Sequence, residues 1–492
     1  MSTEKNKLKA KKERAVFALN AVLLLLAVLI PFAFLFGICF AAPSQYKNTF
    51  LGELGDKYDR LYSIKEPKIV VIGGSSTAFG LDSELLEKNL NMPVVNFGLY
   101  ATLGTKVMLD LSEDAIGKDD IIVIAPETDK QTLSLYFNAE TVWQGLDGKM
   151  NMLKHIKSEN KKDMVGAFFG FTSKKFGYMI NGAPDPAGVY NHSSFNEYGD
   201  IIYDRPYNIM ALGYDPNMTV DFDTSMLSED FIDYLNAYIS KAEKKGAKVY
   251  YSFPPINESA IAAGVTEETI YNYYDFISRN INCDVISDPN NYILNENYFY
   301  DSNFHLNDSG VIVRSANIIK DLYKALGITE TVRIEIPKPP SRSETGGETT
   351  DGDNSYAGYF TYSDFGKGLV ITGTTDEAKL LKNITVPTVY NGKTVLAIGE
   401  EAFKDCGSLK SITINANIAQ FYDRAFSGCN TLTKIIMNYN SAEGVAVGSD
   451  LFGGAPDSAK MYFPSQKGFE SFVSDYFWGP YDANGNRIMP DY

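Results

Sequence analysis

Histidine, cysteine and tryptophan are scarce in this chain: 492 residues contain three His, four Cys and two Trp. No C-x-x-C pair occurs, and Cys39, Cys283, Cys406 and Cys429 are too few and too scattered for a zinc cluster or a disulfide framework. A thiol-poor exterior of this kind is compatible with a bacterial envelope. With only His155, His192 and His305 available, any histidine general base is one of three residues. Positive charge is also short, with 45 Lys and Arg against 61 Asp and Glu and a net charge of −16. Nucleic acid is thereby excluded as the main partner, because backbone phosphates demand a basic surface. Disorder is excluded too, since 45% of the residues are hydrophobic and 13% aromatic.

What basic charge there is collects at one end. Residues 1–14 carry six Lys or Arg against two Glu, and residues 15–42 (AVFALNAVLLLLAVLIPFAFLFGICFAA) carry no charge at all. As a helix that run would span roughly 42 Å, enough to cross a bilayer. A cleaved signal peptide has an apolar stretch of only about 7–15 residues. The Phe40/Ala42 pair before Pro43 is a poor small-x-small cleavage site, and Ile38 before Cys39 does not suit a lipidation signal. The expectation is a signal anchor in membrane lipid, with 1–14 cytoplasmic and residues from 43 onward outside.

Beyond the anchor, 43–66 reads as a polar stalk with a short helix. From 67 to 330, strands alternate with helices. Strands are expected at Pro67–Gly74, Pro93–Phe97, Ile121–Ala125 and Lys248–Phe253, and helices at Asp82–Leu90, Lys106–Ile116, Glu229–Lys245 and Ser309–Leu326. That alternation predicts an α/β domain with a mostly parallel sheet. Residues 130–225, rich in aromatics, Gly, Asn and Asp, read as an insertion over the C-terminal edge of the sheet, where open α/β sheets bind ligands. Residues 331–357 turn to Pro, Ser, Thr, Gly and acid, the composition of a linker, and leave 358–492 as a second domain.

That domain repeats itself. IGEEAFKDCGSLKSITIN (398–415) returns as FYDRAFSGCNTLTKIIMN (421–438), so Ala402, Phe403 and Cys406 recur 23 residues later as Ala425, Phe426 and Cys429. A period in the twenties with this Leu/Ile spacing predicts a short leucine-rich solenoid in which the cysteines are stacked interior residues. The segment about 384–464 resembles the bacterial surface repeats of the BspA type, IGxxAFxxCxxLxxIxIP. The resemblance implies a binding or adhesive module, with a protein partner for the repeats, and no chemistry.

Chemistry is expected at IVVIGGSSTAFG (69–80). No Lys follows for a P-loop, and Gly73–Gly74–x5–Gly80 is not a dinucleotide fingerprint. The remaining functional reading is a nucleophile turn, with a Ser at a strand end where backbone N–H groups can hold an oxyanion; the plain alternative is a Ser/Thr helix cap. A base is found in FYDSNFHLNDSG (299–310), where Asp301 precedes His305 by four residues and can orient its imidazole. His155, in a Lys-rich stretch, reads as a solvated surface residue, and His192, in VYNHSSF, as a group that contacts substrate.

Together GGSSTAFG, VVNFGLYATLG (94–104) and DSNFHL resemble the SGNH/GDSL hydrolase family. Gly73–Gly74–Ser75–STAF–Gly80–Leu81–Asp82 fits the Gly-x-Ser-x4-Gly-hydrophobic-Asp pattern of its membrane-anchored branch, which selects Ser75 over Ser76. The resemblance implies a three-layer α/β/α fold and a catalytic set of Ser75, Asp301 and His305. It also implies oxyanion donors at the N–H groups of Ser75 and of Gly98 or Ala101, with no cofactor or metal. Three departures stand out: Gly74 replaces the signature Asp, Asp301 and His305 are separated by three residues instead of two, and Glu127 falls near the third-block Asn. A carboxyl group donates only when protonated. The implied activity is that of a serine esterase or acyltransferase on O-acyl groups of a cell-surface glycan or teichoic acid, as in D-alanine transfer proteins and polysaccharide O-acetyltransferases. The alternative, which Glu127 favours, is a non-catalytic adhesin working through its repeats. A third reading is a carbohydrate receptor built on Tyr178, Tyr190, Tyr198, Tyr203 and Tyr207.

Overall fold

The computed structural model describes residues 2–472 apart from 187, 211–212, 216–217, 332, 342–353, 440–444, 449, 457, 466–467 and 470–471. Most of the expected linker interior and the end of the second domain lie outside these residues.

Four apolar runs, each too short and too continuous for a helix, become adjacent parallel strands: β1 Ile69–Gly73, β2 Val94–Gly98, β3 Ile121–Ile124 and β4 Lys248–Tyr251. Two-residue strands β5 Ile256–Asn257 and β7 Ile293–Leu294 pair with each other, and β6 Asp284–Val285 completes the sheet. The order is β2-β1-β3-β4-β6, with Ile69 opposite both Val94 and Ile121. β1 to β3 are buried along their full lengths, as strands covered on both faces must be.

The helices are α1 Ser2–Phe40, α2 Glu53–Ser63, α3 Ser75–Ala78, α4 Ser83–Leu90, α5 Thr105–Ser112, α6 Ala139–Gly145, α7 Lys161–Asn181, α8 Glu229–Lys244, α9 Glu267–Asn280 and α10 Asp308–Leu326. Local signals set their ends. Asp82 caps α4 by accepting from Leu85 N–H, Asn307 caps α10 by accepting from Gly310 N–H, and Gly327 stops α10 in the left-handed conformation (φ 70°). α9 and β6 were not expected. α9 carries Ile, Tyr and Phe, which favour strands, yet its Thr266–Thr269 capping box and the buried Ile270, Tyr273 and Ile277 make a helix; β6 is two residues long and begins with Asp284.

Among the described residues, α1 is the one helix long and apolar enough to cross a membrane. Residues 43–66 are not a stalk. Tyr46, Phe50, Leu51, Leu54, Tyr58 and Leu61 are buried in the same core as the sheet, because α2 is amphipathic and lies against β2. The chain leaving α1 is clamped to the domain: Lys175 Nζ donates to Asp147 Oδ1 (2.6 Å), Ala42 O (3.1 Å) and Cys39 O (3.3 Å), while Asp147 Oδ2 accepts from Gln45 N–H (2.7 Å).

In the C-terminal region β8 Phe360–Asp364, β9 Leu369–Thr374, β10 Asn383–Thr385, β11 Val389–Tyr390, β12 Lys393–Ile398, β13 Ser411–Asn415, β14 Gln420–Phe421, β15 Lys434–Asn438, β16 Ala446–Val447 and β17 Lys460–Tyr462 form two ladders. One runs β10-β13-β15-β17, the other β16-β14-β12-β9-β8. The 23-residue sequence period is the ladder register, with Ile412 opposite Ile435 and Ile414 opposite Met437. β11 and β12 make a hairpin through Asn391–Gly392, both at positive φ as a two-residue turn of this twist requires. Phe403, Phe426 and Phe452 stack at 4.9 and 5.0 Å, and Cys406 and Cys429 are buried beside them as free thiols. Because Phe426 is the middle ring, Phe426→Ala is expected to cost about 3–5 kcal/mol of this region's stability. Chemical denaturation monitored in the repeats checks this, and a loss under about 1 kcal/mol would mean the stack does not hold them together.

Candidate active site

The β1 strand ends at Gly73, and the chain turns through Gly74 into α3, which places Ser75 at the C-terminal edge of the sheet. From 230 residues away, the loop before α10 brings His305 Nε2 to 2.8 Å from Ser75 Oγ. His305 Nδ1 lies 2.8 Å from Asp301 Oδ1. An ionised carboxylate only accepts, so Nδ1 carries the proton and Nε2 presents its lone pair to the Ser75 hydroxyl. The loop is pinned on several sides. Tyr300 N–H donates to His305 O (2.9 Å), Asn307 N–H to Tyr298 O (2.9 Å), and Asn307 Nδ2 to Asn297 O (2.7 Å) and Phe299 O (3.0 Å).

Two groups outside the expected set complete it. The Tyr190 hydroxyl donates to Asp301 Oδ2 (2.7 Å), so both carboxylate oxygens are held. The Phe79 ring stacks on the imidazole at 3.9 Å and 5°. Tyr190 stands in the aromatic insertion, where nothing in its neighbours marks it out; Phe79 lies inside GSSTAFG, where it reads as ordinary core. Arg314 Nη1 donates to Ser76 O, which fixes the turn from behind.

Ser76, the rival hydroxyl, is fully buried, and its Oγ has no hydrogen-bond partner among the described residues. Of the expected oxyanion donors, Gly98 is corrected: its N–H donates to Asn96 Oδ1 (3.2 Å), because the Asn96 side chain folds back on its own strand end while its Nδ2 donates to Thr77 O (3.1 Å) and Asp200 Oδ1 (2.8 Å). Gly98 serves by its size instead, since a Cβ there would sit 2.4 Å from Thr77 Cβ and 2.7 Å from Gly74 O. The N–H groups of Ser75 and Ala101 have no acceptor among the described residues.

Glu127 accounts for Gly74. Its carboxyl group fills the space where a side chain at 74 would begin, and a Cβ on Gly74 would lie 2.3 Å from Glu127 Oε2. A side chain at 74, such as the signature Asp, would have to displace this carboxyl group. Glu127 Oε1 accepts from Ser76 N–H (2.6 Å), whereas the buried Oε2 has no partner among the described residues. Burial, reinforced by the neighbouring charge of Asp129, raises the Glu127 pKa above the usual carboxylate range.

The other two histidines lie elsewhere. His155 is a correction: it is buried, with Nε2 2.9 Å from Tyr58 Oη and Nδ1 3.1 Å from Asp114 Oδ2, because the Lys-rich stretch forms a tight turn (Met150–His155) packed on α2 instead of a solvated helix. Desolvation lowers its pKa. His192 does not join Ser75. Its Nε2 sits 2.8 Å from Asp56 Oδ2 and 3.3 Å from Glu53 Oε2, beside a 270 Å³ cavity also lined by Lys57, Arg60 and Phe195. Glu53, Asp56 and His192 are the one group among the described residues with donor atoms close enough for a metal ion. The Glu53 and Asp56 carboxylates, however, hold the imidazole protonated, with its pKa pushed up to about 9. Its contribution to stability is therefore full below pH 6.5 and is lost as pH rises through about 9. The thermal midpoint of wild type is expected to exceed that of His192→Gln at pH 6 and to converge with it by pH 10; a pH-independent difference would refute the ion pair. Of the remaining tyrosines, Tyr198 stacks on Arg60 (4.4 Å), Tyr178 meets Tyr46 edge-on, Tyr203 packs on the core and Tyr207 is exposed.

No curated protein matches this chain. Among solved structures, it is similar to the T. pallidum leucine-rich repeat protein TpLRR, with 20% identity over 22% of this chain and 63% of that one, at a TM-score of 0.16. The chain thus spans under two thirds of that relative. It is also similar to a leucine-rich repeat protein from Bacteroides capillosus ATCC 29799 (17% identity, 22% and 96% covered, TM-score 0.17) and to one from Bacteroides ovatus ATCC 8483 (18%, 21% and 36%, 0.16). Residues 377–478 match, in six copies, the BspA type leucine rich repeat region.

Proposed function

We propose that the α/β region is a membrane-tethered, outward-facing serine esterase or acyltransferase of the SGNH type, acting on O-acyl groups of a cell-envelope glycan or teichoic acid. The observation that carries this reading is the continuous chain Ser75 Oγ to His305 to Asp301, with both links at 2.8 Å.

His305 Nε2 takes the Ser75 proton as Oγ attacks the ester carbonyl. Asp301 stabilises the imidazolium that forms, and Tyr190 and Phe79 keep both groups in place. The oxyanion is held by the N–H groups of Ser75 and Ala101. Collapse expels the alcohol, which leaves with the proton from His305, and water or a sugar hydroxyl then resolves the acyl-enzyme by the same steps in reverse.

Glu127 supplies a third donor. In its protonated form, which burial favours, Oε1 accepts from Ser76 N–H and Oε2, which has no partner among the described residues, is the oxygen left to carry the proton. A neutral carboxyl group next to the nucleophile turn replaces the donor that the family's Asn provides.

A second reading, favoured by the repeat match at 377–478, is that the repeats deliver binding and the α/β region is an inert scaffold. Labelling of the detergent-solubilised full chain with a fluorophosphonate separates the two. A probe adduct on the peptide containing Ser75 supports the enzyme; the absence of any adduct, in protein that melts cooperatively, supports the scaffold.

A further inference from the structure

The helix α7 turns a run of exposed apolar residues outward along its length. Between Val165 and Ile180 its outward residues are Val165, Gly166, Phe169, Gly170, Ser173, Lys174, Phe176, Met179 and Ile180. Val165 is 69% and Ile180 66% exposed. The single charge among them, Lys174, is paired with Glu140. A solvent-facing helix of a soluble domain places charged and polar residues on that side, and a contiguous apolar face of this size marks a binding surface.

The position of that face names its occupant. α7 packs along the outer end of α1, with ring contacts between Phe32 and Phe169 (5.9 Å), Phe34 and Phe176 (5.5 Å), and Phe36 and Phe168 (5.5 Å). If the apolar stretch meets the cytoplasmic boundary at Ala15, Phe32 lies 17 residues on, about 26 Å into a hydrocarbon layer of about 30 Å. The exposed rings of α7 are therefore at the depth of the outer leaflet and continuous with the lipid-facing residues of α1. Lys161 and Lys162 are exposed at the start of α7 beside Asp163, so this polar end of the helix turns one net positive charge toward the headgroups. The buried Lys175–Asp147 pair, both side chains at most 1% exposed, locks α7 to the end of α1.

We infer that α7 is an interfacial helix whose Val165–Ile180 face is seated in the outer leaflet of the bilayer beside the anchor, so that the α/β domain is fixed on the membrane surface instead of swinging on a tether. This rests on the reading of α1 as a membrane span and is independent of the catalytic one.

The test uses the full chain with Cys283→Ser, the other three cysteines being buried. Single cysteines at Val165, Phe169, Ile180 and, as a control in α1, Leu25 are labelled with an environment-sensitive fluorophore. The protein is reconstituted in phosphatidylcholine–phosphatidylglycerol vesicles with or without bromine on the acyl chains. All three α7 labels are expected to lose emission in lipid brominated near the headgroup, and the Leu25 label in lipid brominated deep in the chain. Unquenched α7 labels beside a quenched Leu25 label would overturn the inference and leave the anchor standing. An unquenched Leu25 label would overturn both. Crosslinking of α7 between two copies, without quenching, would assign the face to a second copy and overturn it as well.

Discussion

Ser75→Ala is expected to abolish fluorophosphonate labelling and to lower turnover of an activated acyl ester by about 10⁴-fold or more, with His305→Ala close behind. The magnitude follows from the geometry. Ser75 Oγ has one base within reach, at 2.8 Å, and neither His155 nor His192 lies near enough to replace it. Because the two residues act as one unit, the double variant is expected to be no worse than either single one. Ser76→Ala serves as the internal control. Its hydroxyl is buried and lies off the Ser75–His305 pair, so activity should stay within a few-fold of wild type. Labelling that survives Ser75→Ala but disappears in Ser76→Ala would move the nucleophile by one residue and refute the assignment.

The second large effect belongs to Glu127. Removing one oxyanion donor costs on the order of 10²–10³ in kcat, so Glu127→Ala should fall by that factor. Glu127→Gln should stay near wild type, because its carbonyl oxygen can accept from Ser76 N–H while its amide nitrogen donates where Oε2–H does. The pH dependence supplies the sharper contrast. A carboxyl whose pKa is raised in the fold is a donor below that pKa and ionises above it, so wild-type activity should decline on the alkaline side while Glu127→Gln stays level. Stability follows the same sign. The folded chain binds this proton more tightly than the unfolded one, so the stabilisation is present at low pH and is lost as pH rises through the folded pKa. If Glu127→Gln is as inactive as Glu127→Ala while its thermal midpoint matches wild type, the side chain does not donate to the oxyanion.

Particular residues show how far the one-dimensional reading reached. Ser75, Asp301 and His305 stand in short motifs where residue type and spacing carry meaning, and the scarcity of histidine reduced the search for a base to three. His155 is buried against the expectation because Lys-rich flanks imply solvent only if the segment is a surface helix. The stretch instead forms a tight turn, and the Tyr58 and Tyr62 hydroxyls around His155 come from α2, nearly 100 residues earlier. The 43–66 segment departs from a stalk for a related reason. Its polar residues alternate with Tyr46, Phe50, Leu54 and Tyr58, whose burial depends on a sheet supplied by later sequence. α9 is not legible in the sequence because its apolar positions are Ile and Tyr, which locally favour strand.

Patterns with local physical causes were decided by the sequence alone: an uncharged 28-residue run at the N-terminus, apolar strands between helix caps, the 23-residue repeat that became a ladder register, and the glycines at the turn after β1. Tertiary structure decided which group touches which across the fold. The Gly98 amide is withdrawn by Asn96, and the Glu127 carboxyl fills the space that Gly74 leaves. Tyr190 is brought to Asp301 from 111 residues away, and the apolar side of α7 is laid against the end of α1. Local propensity acts over a few residues along the chain, whereas desolvation and hydrogen bonding act over a few ångströms in space, and only the fold relates the two.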